Sequence, residues 1–335
     1  MVKKIITVTF LTYFLVNTLV AQEQQDTFPK YFFFGNIFAD FYHDISNNVS
    51  PPTGFEMATA LLGYHTDLTS KIHAQIIYDV TRTTNDIRVL DSNNIPLTVS
   101  YFEGSKYTAF LKQAEMDWQF ASHFVLSVGQ LLNQQYLTVQ DKFWGYRFVA
   151  VTFQEAYRFG NPADFGMRLS YHLKNKILWS IGSVNGDGPF KYQDKNGTLQ
   201  YFNNIEYRPN QHIILKLYSD LESYKELSRM TNSLFLAYKT ELFRIGFEYN
   251  RVDFDSNSKD KNFEGSSLYT SIKLNDKLDI FARYDGLFNY TIFDHEHKYF
   301  LGLCYSNHQF QTAVNLRYFT FDNSLIFYWS FGIKF

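Results

Sequence analysis

The 335-residue chain holds one cysteine, Cys304, so it can build neither a disulfide framework nor a cysteine cluster for zinc or an iron–sulfur centre. Charge is also scarce, at 19% of residues against about 25% in soluble domains. The 31 basic and 33 acidic residues leave a net charge of −2. A nucleic-acid binder needs a basic face, which this balance does not supply. Beyond residue 21 no segment approaches the roughly 20 apolar residues of a membrane helix. The sequence has no glycine loop that cradles phosphate and no nucleotide fingerprint. What it has in excess is aromatic: 35 Phe and 25 Tyr bring aromatics to 19%. Those residues suit strands and interfaces.

Residues 1–21 read as a secretory signal peptide. Lys3 and Lys4 supply its positive start, Ile5 to Val20 its apolar stretch, and Leu19-Val20-Ala21 a cleavage point before Gln22. A short transmembrane anchor is the competing reading. Thr and Asn within the apolar stretch, and the lack of a positive cluster after it, count against an anchor. No cysteine follows for lipid attachment. The chain is therefore expected to be exported, with 22–32 a periplasmic segment and 33–335 a membrane domain.

Without membrane helices, a chain can span a bilayer only as a closed β-barrel, because every backbone amide must be satisfied internally. The alternation such strands require is present. Leu325, Phe327, Trp329, Phe331, Ile333 and Phe335 share one parity; Ser324, Ile326, Tyr328, Ser330, Gly332 and Lys334 share the other. A strand sends these sets to opposite faces. Ile72–Val80, Ala114–Phe120, Phe165–Tyr171 and Phe243–Tyr249 repeat the pattern, with Lys112 on the lipid parity and expected to reach out from the rim. Sixteen such segments can be counted. Tight turns follow the even ones, and longer polar connections generally follow the odd ones. An even strand count, short turns on one side and both termini on that side define bacterial outer-membrane barrels. The predicted fold is all-β: a transmembrane antiparallel barrel of about sixteen strands. A soluble sandwich or lipocalin-like barrel would need fewer strands and less outward aromatic surface.

The longest connection, 133–163, is the third of the long ones. Loops beyond about 15 residues are usually functional or disordered, and this one is rich in Tyr136, Leu137, Phe143, Trp144, Tyr146, Phe148, Val149, Val151, Phe153 and Tyr157. A sixteen-stranded barrel leaves an aqueous channel, into which such a loop is expected to fold. Asp141, Lys142, Arg147, Glu155 and Arg158 would then sit at a constriction. The competing placement is over the outer rim, against a partner.

Four short motifs flank this loop: Val128-Gly129-Gln130 before it, Asp164-Phe165-Gly166-Met167-Arg168-Leu169 after it, then Asn185-Gly186-Asp187-Gly188-Pro189 and Glu206-Tyr207-Arg208-Pro209. In their order and spacing the chain resembles the phosphate-selective porin O/P family of bacterial outer-membrane porins, especially its shorter members. The resemblance implies a sixteen-stranded, usually trimeric diffusion channel with an inward third loop. It departs after Gln130, where Leu131-Leu132-Asn133 replaces an expected proline-containing stretch. No ladder of lumenal arginines can be recognised, so phosphate selectivity is not carried over. The resemblance also implies that the aromatic terminus, Trp329, Phe331 and Phe335, is part of the signal read by the insertion machinery.

Sorted by parity, the lumen charges are uneven. Early strands place Asp40, Glu56, Asp79, Glu115 and Asp117 inward against Lys71 and His73. Late strands place Arg244, Lys273, Arg283, Lys298 and Arg317 inward against Glu248, Asp279 and Asp285, and Arg168 belongs to the same lumen set. Either a transverse field crosses the pore, or the charges pair and hydrate the wall. Catalysis is not expected, since Cys304 has no neighbouring His and no nucleophile stands with an orienting base. His295-Glu296-His297 reads as a solvated loop tip and Asp187 as turn chemistry, so neither a cofactor nor a metal is expected. The expected surroundings are a lipid bilayer and lipopolysaccharide, with small solutes passing through and a homotrimer or larger assembly as context. The leading functional reading is a porin for small hydrophilic or charged solutes. The alternative is a non-conducting accessory barrel plugged by its loop.

Overall fold

A computed structural model describes residues 28–82, 107–135, 139–189, 197–224, 227–254, 262–290 and 293–335. The expected signal peptide and much of the second outer connection lie outside the described residues. Among the described residues no helix is long and apolar enough to cross a membrane.

The strands are β1 Lys30–Asp44, β2 Thr53–Asp67, β3 Ile72–Arg82, β4 Tyr107–Ala121, β5 Phe124–Leu132, β6 Ala163–Leu173, β7 Ile177–Val184, β8 Gln200–Tyr207, β9 Ile213–Tyr224, β10 Leu227–Lys239, β11 Phe243–Phe254, β12 Phe263–Asn275, β13 Leu278–Tyr290, β14 Phe293–Asn307, β15 Phe310–Phe319 and β16 Ser324–Lys334. Each pairs antiparallel with its sequence neighbours, and β1 closes on β16 from Asn36↔Lys334 to Asp44↔Ile326. The fold is a closed sixteen-stranded antiparallel barrel. Closure satisfies the ladder amides without an edge, which is what a bilayer demands.

Period two sets the faces. Outward residues such as Phe55, Leu62, Tyr78, Tyr201, Leu217 and Trp329 are exposed, as a lipid-facing belt requires. Aromatic pairs gather at both ends of the wall. Phe33–Tyr64, Phe124–Tyr171 and Tyr238–Phe243 ring the turn end at centroid separations of 5.1, 5.1 and 5.7 Å. Phe41–Phe55 and Tyr284–Tyr299 stand toward the other end, at 5.1 and 5.2 Å.

Four expectations need correction. Lys112 does not face lipid. A bulge in the β3–β4 ladder, between Ile77/Tyr78, reverses the parity of β4, so Lys112 and Gln113 are both buried inside. Lys112 Nζ lies 2.5 Å from Asp79 Oδ2. Second, His295, Glu296 and His297 belong to β14 rather than a loop. Alternation sends Glu296 inward to Lys298 at 2.9 Å, whereas His297 faces outward and contacts the Tyr284 hydroxyl. Third, outer connections are not uniformly long: two residues separate β9 from β10, and two separate β13 from β14. Finally, β1 opens at Lys30, three residues before the expected start.

Candidate functional site

The third outer connection enters the barrel and lies on one wall. It carries two short helices, α1 Val139–Trp144 and α2 Phe153–Ala156. Its side chains Val139, Phe143, Trp144, Tyr146, Phe148 and Val149 join the inward residues Phe38, Ile214, Phe235, Tyr269, Phe281, Cys304 and Ala313 in one apolar cluster. Phe153, Tyr157 and Phe159 form a second cluster with Val252 and Leu287. Cys304 is thus a small buried residue under the loop. Residues 136–138, with Tyr136 and Leu137, lie outside the described residues.

The wall is shaped to receive these rings. Gly246, Gly265 and Gly332 face inward where aromatic side chains arrive. A β-carbon at Gly332 would stand 2.9 Å from Phe148 Cβ, one at Gly246 3.0 Å from Phe143 Cε1, and one at Gly265 2.5 Å from Phe153 Cζ. Real β-carbons avoid such distances, so each glycine is a docking recess.

The cations of the late wall hold the loop. Lys216 Nζ, fully buried, donates to the carbonyls of Gln134 and Gln135 at 2.5 and 2.8 Å and to Gln140 Oε1 at 2.7 Å. Arg317 donates to the Val149 carbonyl at 2.7 Å, Arg283 to the Val151 carbonyl at 2.6 Å, and Arg229 to the Phe159 carbonyl at 3.4 Å. Arg244 lies over the Tyr146 ring at 4.7 Å, Arg283 over Trp144 at 5.2 Å, and Lys298 over Tyr157 at 4.5 Å. A loop folded inside a barrel brings orphan carbonyls with it, and those need donors. Four of the late cations expected to line an open pore face are consumed in this way. Lys273 is different: it sits at the turn end and pairs with Asp276 at 2.8 Å.

The loop's other side carries charge. Half-buried Arg147 makes two hydrogen bonds to Glu155, of 2.6 and 2.7 Å, and one to Asp141 of 2.8 Å. Burial opposes the charge on Arg147, but the two carboxylates outweigh it and hold the guanidinium above its ordinary pKa. Burial likewise opposes ionisation of Glu155; the Arg147 charge overcomes it, Lys112 adds to the effect, and the carboxyl falls below its usual range. Lys112 belongs to the wall opposite, so the loop's ionic group and the β3–β4 wall sense each other. On that wall Arg168 pairs with Glu115 at 2.7 Å and stands 3.9 Å from Asp117, and Asp79 holds Lys112. Lys142 and Arg158 are exposed on the loop. A cavity of about 520 Å³ opens beside Lys142 at the turn end, lined by Lys142 and Val139 from the loop and by Asp117, Arg168, His172 and Arg208 from the wall. The structure therefore puts Asp141, Arg147 and Glu155 together, with Lys142 lower in the same passage. The early-wall acids Asp79 and Glu115 are paired, with Lys112 and Arg168 respectively.

Two structural residues escaped sequence reasoning. Lys112 required the bulge, which leaves no sequence mark. Lys216 was signalled only by a lysine within the otherwise apolar Ile213-Ile214-Leu215-Lys216-Leu217 run. The loop's exit is knotted by the flanking motifs. Asp164 Oδ2 accepts the Gly188 N–H at 3.0 Å, and Asn161 Nδ2 donates to the Gly186 carbonyl at 2.9 Å. Gly186 and Gly188 have φ of 85° and 76°, so Asp187 sits in turn geometry. Gly129 is tightly constrained as well, with a φ of 126° and the Ala114 carbonyl against it.

No family model matches the chain, and no curated protein matches it in sequence. Solved structures do match in fold. OprB of Pseudomonas putida, in its high-pH structure, aligns with a TM-score of 0.68 at 10% identity, covering 91% of this chain and 94% of that one. OmpF of Salmonella typhi in complex with daunomycin aligns at 0.66 and 10% identity, covering 92% and 98%. OmpT, an outer membrane protein of Vibrio cholerae, aligns at 0.62 and 9% identity, covering 94% and 100%. The chain has the architecture of outer-membrane barrels over nearly its whole length.

Proposed function

We propose that the chain is an outer-membrane porin through which small hydrophilic or charged solutes diffuse, narrowed by the loop 133–162. One observation carries this reading: the docked loop presents the Asp141–Arg147–Glu155 group so that Glu155 senses Lys112 on the opposite wall, the wall on which Arg168 pairs with Glu115. Charges of both signs across a narrow passage act at close quarters on a solute. The apolar side of the loop is used up against the wall, so the side left over is the polar one. This arrangement suits diffusion with weak charge preference, and no step of bond chemistry is assigned to it.

The four flanking motifs support membership of the phosphate-selective O/P family at the level of loop architecture. Asp164 and the Asn185–Pro189 motif bind each other and the loop's exit, and Arg168 binds Glu115, which gives phosphate selectivity no independent support. Trimeric assembly is proposed by analogy with the trimer form of Vibrio cholerae OmpT, with lipopolysaccharide and bilayer lipid against the outer belt. Single-channel recording of the refolded barrel in a planar bilayer tests the reading: discrete, ohmic steps are expected.

The depth of the loop's docking favours a second reading, an accessory barrel whose lumen the loop closes. Silence of the folded protein in the same recording would establish it.

A further inference from the structure

We propose that His65, Asp67 and His73 form a binding site for a divalent transition-metal ion, of the zinc or copper class, at the turn end of the lumen. The site lies outside the loop and its partners, on the hairpin of β2 and β3.

Register builds it. His65 and Asp67 are two apart on β2 and so share its inner face; Asp67 pairs directly with His73 across the hairpin, and His65 pairs with Gln75. One donor atom from each of His65, Asp67 and His73 lies within 4.8 Å of the others. His65 Nε2 stands 3.0 Å from Asp67 Oδ1, and His73 Nδ1 stands 2.5 Å from the same oxygen. Donor atoms of a tetrahedral zinc are about 3.3 Å apart when each lies about 2.0–2.1 Å from the metal. Small side-chain rotations therefore turn three converging hydrogen-bond partners into three ligands.

Two neighbours hold the donors in place. Gln75 Oε1 lies 3.3 Å from His65 Nδ1, so the other ring nitrogen is directed at Asp67. An outer partner of this kind fixes the orientation of a metal-binding imidazole. The Phe32 ring packs against the His65 ring at 4.9 Å. All three ligands are half-buried and open to the lumen, where His73 also lines the 520 Å³ cavity. Two imidazoles and a carboxylate suit zinc or copper(II) better than calcium or magnesium, which favour all-oxygen sets. A set of three leaves a coordination position free for water or a solute group.

The sequence hides this site, because His-x-Asp followed six positions later by His becomes a cluster only in this hairpin register. Titration of the refolded barrel with zinc chloride alone in a calorimeter provides the test. One saturable site per chain is expected. His65→Gln, Asp67→Asn and His73→Gln should each weaken it by about tenfold or more, and His212→Gln at a distant turn should leave it unchanged. Heat-modifiable mobility in gels confirms that each variant is folded. Copper(II) electron paramagnetic resonance on the unmodified protein is the independent arm and should show two coordinated nitrogens. No saturable zinc uptake, equal affinity in all variants, or a copper spectrum without imidazole nitrogen would each overturn the proposal.

Discussion

Arg147 and Glu155 meet in a two-pronged ion pair, with N–H···O distances of 2.6 and 2.7 Å, on the side of the inward loop that faces away from its docking wall. Asp141 completes the group through a third bond to Arg147 of 2.8 Å. Arg147, between the helices, thus ties Asp141 of α1 to Glu155 of α2, so the loop's shape and its exposed charge depend on the same three side chains. Glu155→Gln should remove one negative charge from the loop's ionic group and shift ion preference toward anions. The reversal potential in a salt gradient measures this; the same change at exposed Glu241, in the turn after β10, should move it far less.

Acid should act on the same group. The folded-state pKa of Glu155 is depressed, so its contribution to loop docking is fully present above the ordinary carboxyl value of 4.5. It is lost as pH falls below that value through the lowered one. Conductance noise or loop proteolysis should therefore rise only below about pH 4.5, and Glu155→Gln should abolish this transition. A transition centred near neutrality would point to another group.

Lys216→Met should loosen the loop's entry without unfolding the barrel. It removes the donor shared by the Gln134 and Gln135 carbonyls and Gln140 Oε1. Leaving buried acceptors unmet costs about 1–3 kcal/mol each, less what is regained by no longer burying an ammonium. Hydrogen exchange should accelerate in 133–145 and stay unchanged in the β9–β10 ladder.

Much of this was legible in the sequence because the barrel wall is periodic. Sixteen strands could be counted from parity, since the two faces of each strand differ in polarity, and the closed barrel has that number. That the aromatic loop needs an apolar home was legible from Phe143, Trp144, Phe148 and Phe153. What it would pack against was not. Phe235, Tyr269 and Phe281 lie on the inner parity, where a simple rule expects polar residues; they are there because the loop covers them. The same cause gives the inward Arg283 and Arg317 their loop partners. Parity places a guanidinium in the lumen but cannot tell whether it faces water or a backbone carbonyl. Lys112 failed for a different reason, as a single bulge inverts parity with no residue to announce it.

Gly332 tests the docking recess. A side chain there meets Phe148 at its β-carbon, so Gly332→Val should push the central part of the loop off the wall. The barrel should still fold, because the substitution points inward and leaves the ladder intact. Loop proteolysis should increase and the near-ultraviolet circular dichroism of the packed rings should fall.

At the seam, Gly35 and Phe335 exchange N–H···O bonds of 2.8 and 3.0 Å, and the Phe335 ring covers Gly35. Deleting Phe335 removes both bonds and the ring; Phe335→Leu removes only the aromatic ring. If insertion reads the aromatic terminus, both variants should lower the yield of heat-modifiable barrel in the outer membrane. A normal yield from Phe335→Leu with a deficit from the deletion would assign the residue to seam closure alone.

The most direct measurement of the constriction is single-channel conductance before and after the loop is shortened between Gln140 and Phe153. The deletion removes Phe143, Trp144, Arg147 and Phe148 and leaves the sixteen-strand wall untouched. The account predicts a conducting parent and a shortened form with larger steps and weaker charge preference. Equal steps in both forms, or no conduction by either folded form, would contradict it.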